Sequence, residues 1–281
     1  MMSPAHALAA EEPGRWGSGT GDSNVRVDLY LRDIERLTRE KVRNEVDGPW
    51  FEYSLVSICG GQPGTPNGDD LCGASFIPCS TTNPQIGAGP AMRAYRREVN
   101  RAGAPQSDWT PLGVTCLPDR LPGGRAALTL ALVQQVFNET EFAVPTVNIQ
   151  PEGDVTLVNL PTFFEVRFPD EGFGPDEVDT PDPARLLGYR VEVRPVLRSV
   201  TYHLGEKSVG PTRSLGGPHP TGDVRVTYTR PGTHQVRADI VYTGQFRVGG
   251  SGWIDIPGQV DLRGTPVTLT VREAKARLYT S

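Results

Sequence analysis

No stretch of the 281-residue chain approaches the run of about 18 apolar residues that a membrane helix needs, so no span is expected. Nor is there a basic stripe. The formal charge of −5 arises from interspersed signs, and nucleic acid is not an expected partner. Close cysteine pairs of the C-x2–4-C kind are missing as well. Cys59, Cys72, Cys79 and Cys116 follow one another at thirteen, seven and thirty-seven positions, which disfavours structural zinc, because two thiolates must reach one ion from a single turn. Two disulfides are the favoured reading, with unpaired buried thiols the alternative. Four cysteines allow three pairings, and the spacing does not choose among them. Because disulfides persist in oxidising compartments, the cysteines point to export.

Catalytic signatures are equally scarce. No serine sits in a G-x-S-x-G setting. Of the histidines, His6 lies in the N-terminal tail, His203 and His219 in loops or strand ends, and His234 on a strand face. No pair of acids for glycoside hydrolysis can be picked out of 33 Asp and Glu. Gly60-Gly61 and Gly249-Gly250 lack the Lys-Ser/Thr ending of a phosphate loop. A non-catalytic protein is expected, with an extracellular hydrolase or hydrolase accessory as the alternative.

Glycine and proline are plentiful, at 32 and 26 residues, so the chain is punctuated by turns and long helical bundles are disfavoured. Residues 1–24 are small, polar and Gly-rich and read as a disordered tail. Within it, Ala5-His6-Ala7-Leu8-Ala9-Ala10 precedes Glu11-Glu12-Pro13 as small residues precede a signal-peptidase cut, although a basic and an apolar region are missing. Two readings stand: a leader whose start is misplaced or lost, and an Ala-rich cytosolic tail.

Residues 25–47 form an entry segment. Val25, Val27 and Leu29 alternate as a strand would, whereas Val27, Leu31, Ile34 and Leu37 suit one helical face, so an extended entry should lead into a charged helix over 33–44, ended by Gly48-Pro49. Residues 48–124 read as a Cys-containing β-rich module, with a hairpin of 91–99 and 109–116 around Gly103-Ala104-Pro105 or, alternatively, a short helix over 91–100. Residues 125–143 form a linking segment whose helix, over 125–138, is apolar nearly all round and should be buried or packed between domains.

From residue 144 to 281 strands follow one another, at 155–158, 163–168, 188–202, 234–242, 253–256, 259–262 and 267–271, with a hairpin turn at 249–252. In 188–202 the apolar phase is odd through Tyr189, Val191 and Val193 but even through Val196, Val200 and Tyr202. That switch predicts a bulge or a break between two strands at Pro195. The loop 169–182 concentrates six carboxylates. Asp170, Glu171, Asp176, Glu177 and Asp179 are the only calcium candidates, but their order does not match the alternating D-x-D-x-D-G pattern, and a solvated loop without cofactor is preferred.

Three runs carry a resemblance. They are Pro145-Thr-Val-Asn-Ile-Gln150-Pro151-Glu-Gly153 followed by Leu157-Val-Asn-Leu160-Pro161, then Gly249-Gly-Ser-Gly-Trp253-Ile-Asp-Ile-Pro257-Gly258, and finally Leu269-Thr-Val-Arg-Glu-Ala-Lys-Ala-Arg. Together they resemble a family of secreted actinobacterial PKD-domain proteins. Its H-x-Y-x-x-P-G segment is matched by Tyr228-Thr-Arg-Pro231-Gly232, with Val226 in place of the His. Its W-D-F-G-D-G strand-turn is eroded to Tyr202-His203-Leu204-Gly205-Glu206-Lys207, where Lys207 cannot organise a turn as an Asp-Gly pair does. Trp50, Tyr53, Cys59 and the run Trp109 to Cys116 are similar to the upstream part of such proteins.

The resemblance implies a mainly β chain ending in a PKD-like (Ig-like) β-sandwich, behind a small disulfide-containing β module and a linking helix. It implies a secreted or cell-wall-associated binding or structural protein, contacting protein or cell-wall carbohydrate or built into a surface assembly. The expected contact surface is the acidic loop with Tyr202 and Trp253, although core packing is the plainer role for Trp253.

Overall fold

The computed structural model describes residues 25–68, 70–82 and 89–275. The tail over 1–24, its signal-peptide reading and His6 lie outside the described residues. The fold is mainly β, with antiparallel sheets and two disulfides, Cys59–Cys72 and Cys79–Cys116.

An extended entry over 25–30 leads into helix α1 (Leu31–Asp47), where Asp33 accepts a hydrogen bond from the Tyr30 N–H at 3.2 Å. Ile34 and Leu37 bury one face of the helix. It stops at Gly48, whose positive φ of +65° suits a residue without Cβ and whose N–H donates to Asn44 at 2.7 Å. Strand β1 (Trp50–Ser57) follows. Helix α2 (Gly73–Thr82) comes next and was not expected, since Gly, Ser and Pro78 read as loop. Buried Ser75, Phe76 and Cys79 hold it in place, and Cys79 is bonded to Cys116. Strands β2 (Met92–Val99) and β3 (Thr110–Thr115) form the hairpin expected over 91–116 and complete a sheet in the order β1-β2-β3.

Helix α3 (Leu130–Asn138) begins five residues later than its apolar run suggested. Thr129 is the N-cap, its hydroxyl accepting from the Leu132 N–H at 3.2 Å. Residues 125–129 are held outside the helix by Tyr189, whose ring lies under Arg125 and whose hydroxyl donates to the Ala126 carbonyl at 3.2 Å. Only Val133, Val136 and Phe137 are buried, so the helix has one apolar face and is not enclosed all round.

The remaining strands are β4 (Thr146–Gln150), β5 (Val155–Leu157), β6 (Pro161–Arg167), β7 (Val191–Leu204), β8 (Lys207–Thr212), β9 (Arg225–Thr227), β10 (Gly232–Val248), β11 (Ile254–Leu262) and β12 (Val267–Arg272). One sheet has the order β4-β6-β9, the other β5-β12-β10-β7-β8, in which β5 runs parallel to β12. The long strand β10 pairs along one side with β7 and along the other first with β12 and then with β11.

The phase switch in β7 is a bulge inside one continuous strand, and it lies downstream of Pro195. Pro195 pairs in register with Gly244, whereas Leu197 opposes Tyr242 and Ser199 opposes Val241, which leaves Arg198 as the extra residue. Proline is tolerated because its missing N–H points away from β10. The amide and carbonyl of Val193, two residues earlier, face the opposite side, where they bond Asp179 at 2.9 Å each. The β7–β8 link is a two-residue turn in which Leu204 pairs with Lys207 and Gly205 supplies a φ of +77°. Glycine at the first central position thus does what the missing Asp-Gly pair was expected to do. Lys207 instead sends its ammonium to the Thr227 carbonyl at 2.9 Å.

Buried side chains of both C-terminal sheets form one continuous core, built around Phe164, Tyr202, Ile240 and Leu269. Leu71 and Phe76 of the Cys-containing region belong to the same core, and Phe76 meets Phe246 edge-on at 6.0 Å.

Candidate functional site

The expected contact surface does not assemble as one patch. Tyr202 is fully buried, its hydroxyl donating to the Ser214 carbonyl at 3.1 Å, and burial pushes its ionisation well above the usual phenol range. The acidic loop is drawn along the open side of β7. The Asp176 N–H donates to Pro195 at 3.2 Å, Asp179 forms a bridge with Val193, and the Glu177 carboxylate accepts from the Gly174 N–H at 3.1 Å. Asp170 and Glu171 are exposed. Among the described residues no three His, Cys, Asp or Glu side chains are placed to hold a metal ion.

Trp253 is not a core residue. It stands half-buried just before β11, on the solvent side of β7, β10 and β11, because Val193, Phe246 and Ile254 take the inward positions of the alternation. Arg194 and Arg247 lie over its ring at 4.3 and 4.7 Å. Both guanidinium groups are fixed from the strands. Arg194 donates twice to Gln245 Oε1, at 3.0 and 2.7 Å, and Gln245 passes the chain on to Asp255 at 2.8 Å. Arg247 is paired with Glu192. The result is a half-buried indole held under two guanidinium groups, which amide and carboxylate side chains fix in turn. Its sequence signal was the alternation of Gln245 and Arg247 with buried Phe246 and Val248.

Two other groupings lie elsewhere. On β7 and β10, His203 Nε2 stands 2.9 Å from Asp239 Oδ2, and Arg237 grips the same carboxylate at 3.0 Å. Partial burial works against the Asp239 charge, but the hydrogen bonds from Arg237 and the Gly264 N–H, with the charges of Arg237 and His203, outweigh it and hold the carboxyl below its ordinary range. Among the described residues no serine, threonine or cysteine side chain hydrogen-bonds this histidine. His234 lies instead against Tyr228, ring to ring at 4.8 Å.

The second grouping is a cleft of about 250 Å³ between the first sheet and the start of the C-terminal part, walled by Tyr53, Leu55, Pro118, Leu121, Arg125 and Tyr189. It falls just under the ~300–1,000 Å³ of ordinary small-molecule sites. Arg125 lies 3.6 Å above the Tyr189 ring at its rim.

A scan against protein-family models, a search of curated proteins and a search of solved structures found no match for this chain.

Proposed function

We propose that the chain is an exported, cell-surface or secreted binding protein without catalytic activity, in which the sheets after residue 144 make a PKD-like β-sandwich and the face around Trp253 contacts protein or cell-wall carbohydrate. The observation that carries this reading is the placement of Trp253. A tryptophan kept out of a large adjoining core, with its ring oriented by two arginines among hydrogen-bonding side chains, matches what a flat polar ligand needs. The two disulfides support export, since such bonds are stable where the surroundings are oxidising. The continuity of core between the two C-terminal sheets supports the sandwich.

The test is retention on purified cell walls and on a glycan array, comparing the native chain with Trp253→Ala. Retention of the native chain, and its loss in a variant that melts as the native chain does, is the expected result. No retention overturns the carbohydrate contact, and equal retention of both overturns the role of the Trp253 face.

A further inference from the structure

The two disulfides differ in their surroundings. Cys79 is buried within α2 and is bonded to a partly buried Cys116. Cys59, on the turn that follows β1, is the only exposed cysteine of the four, and its partner Cys72 immediately precedes α2. Attack by an outside thiolate requires access to the sulfur that is struck and a stabilised charge on the sulfur that leaves. Cys59 meets the first requirement. Cys72 meets the second, because it stands at the N-terminal end of a ten-residue helix, where unpaired amides gather partial positive charge that favours a thiolate. Arg93 adds a full charge close by. Its guanidinium reaches the Ile58 carbonyl at 3.4 Å, one residue from Cys59, and pairs with no carboxylate among the described residues.

The backbone on each side of this bond is held by contacts that do not involve sulfur. The Cys59 N–H donates to Ser57 Oγ at 3.2 Å and the Gly60 N–H to the Ser57 carbonyl at 2.9 Å, with Ser57 itself fully buried. The Cys72 carbonyl accepts from the Ser75 N–H at 2.9 Å and from the Ser75 hydroxyl at 2.6 Å, while Leu71 is sunk in the core. Between them the Ser57 N–H meets the Gly68 carbonyl at 3.1 Å and the Gly61 N–H the Asn67 carbonyl at 3.3 Å, which ties the limbs of the loop together. The Cys59 and Cys72 Cα atoms, 6.0 Å apart, therefore stay neighbours when the bond between the sulfurs opens.

We propose that Cys59 is a covalent modification site for low-molecular-weight thiols. The incoming thiolate bonds to Cys59 Sγ as the Cys59–Cys72 bond breaks, and Cys72 departs as a thiolate. One disulfide is consumed and one is formed, so no further oxidant or reductant is needed. The chain then carries the thiol on Cys59 and a free sulfur on Cys72. Because Cys72 is kept beside it, its thiolate can strike Cys59 Sγ, expel the thiol and restore the original bond. The modification is thus reversible, and its extent follows the thiol concentration.

Brief exposure of the folded chain to reduced glutathione, followed by acid quenching, N-ethylmaleimide and peptide mass spectrometry, tests this. Glutathione is expected on Cys59 and the maleimide on Cys72, with Cys59–Cys72 opening more than about tenfold faster than Cys79–Cys116 and circular dichroism unchanged. Removal of glutathione should return the Cys59–Cys72 pair. Equal opening of both disulfides, glutathione first on any other cysteine, opening only together with loss of circular dichroism, or failure of the pair to re-form overturns the proposal.

Discussion

The imidazole of His234 closes over Gly205, so tightly that a Cβ at Gly205 would come within 2.6 Å of His234 Nδ1. Two demands meet at this one residue, a left-handed backbone for the β7–β8 turn and an empty space for a ring on β10. Gly205→Ala is therefore expected to destabilise the fold by about 1–3 kcal/mol. Adding His234→Ala should return only the steric part of that loss. Urea denaturation of the two variants measures both contributions.

Buried tyrosine hydroxyls should separate cleanly. Tyr202 spends its hydroxyl on the Ser214 carbonyl, and Tyr202→Phe is expected to cost about 1 kcal/mol. The hydroxyl of Tyr242 is shielded from solvent and has no hydrogen-bond partner among the described residues. Tyr242→Phe should leave stability unchanged or raise it slightly, because nothing but a desolvated polar atom is removed. Parallel thermal melts decide the sign.

Alternation between turn signals made β10 and several other strands after residue 144 legible, and the turn at Gly103-Ala104-Pro105 located the hairpin of β2 and β3. Other features depended on contacts that no local pattern contains. The start of α3 is set by Tyr189 holding residues 125–126 some sixty positions away in sequence, which an apolar run cannot reveal. The apolar phase switch pointed to Pro195, but the extra residue is Arg198, because the donor that Pro195 lacks would face the loop that carries Asp176 and Asp179 and its pairing with Gly244 stays intact. Helix α2 owes its existence to burial and a disulfide, against its own composition. At the candidate face, Trp253 was visible as a residue, but its two arginines come from β7 and β10, and only the strand register brings them together.

Asp239 should leave a mark on acid stability. Its folded ionisation lies below that of the unfolded chain, so it contributes stability that is fully present above the ordinary carboxylate range and is lost as pH falls through the lower folded value. Its surroundings are Arg237, His203 and the Gly264 N–H. Asp239→Asn is expected to lower stability at neutral pH and to flatten its fall at the acid end. Denaturation midpoints collected down through the carboxylate range would show this.

The two disulfides should differ in weight. By loop-closure entropy, replacing Cys79 and Cys116 by serine, a pair 37 positions apart, should cost about 4 kcal/mol, and replacing Cys59 and Cys72, 13 apart, about 3. The Cys79 pair should cost more than entropy predicts, because Cys79 is itself buried beneath β3 and anchors α2. Guanidinium titration of each double variant ranks them.

Phe76 and Leu71 enter the core from one side of the apparent boundary and Phe246 from the other, while the Gly250 N–H at the β10–β11 turn donates to Asp70 at 3.2 Å. A cut at the seam between them would yield no independent bead. The C-terminal piece would present an open greasy socket, and the N-terminal piece its matching plug. A boundary for recombination or engineering must therefore keep Leu71 and Phe76 on the same side as Phe246.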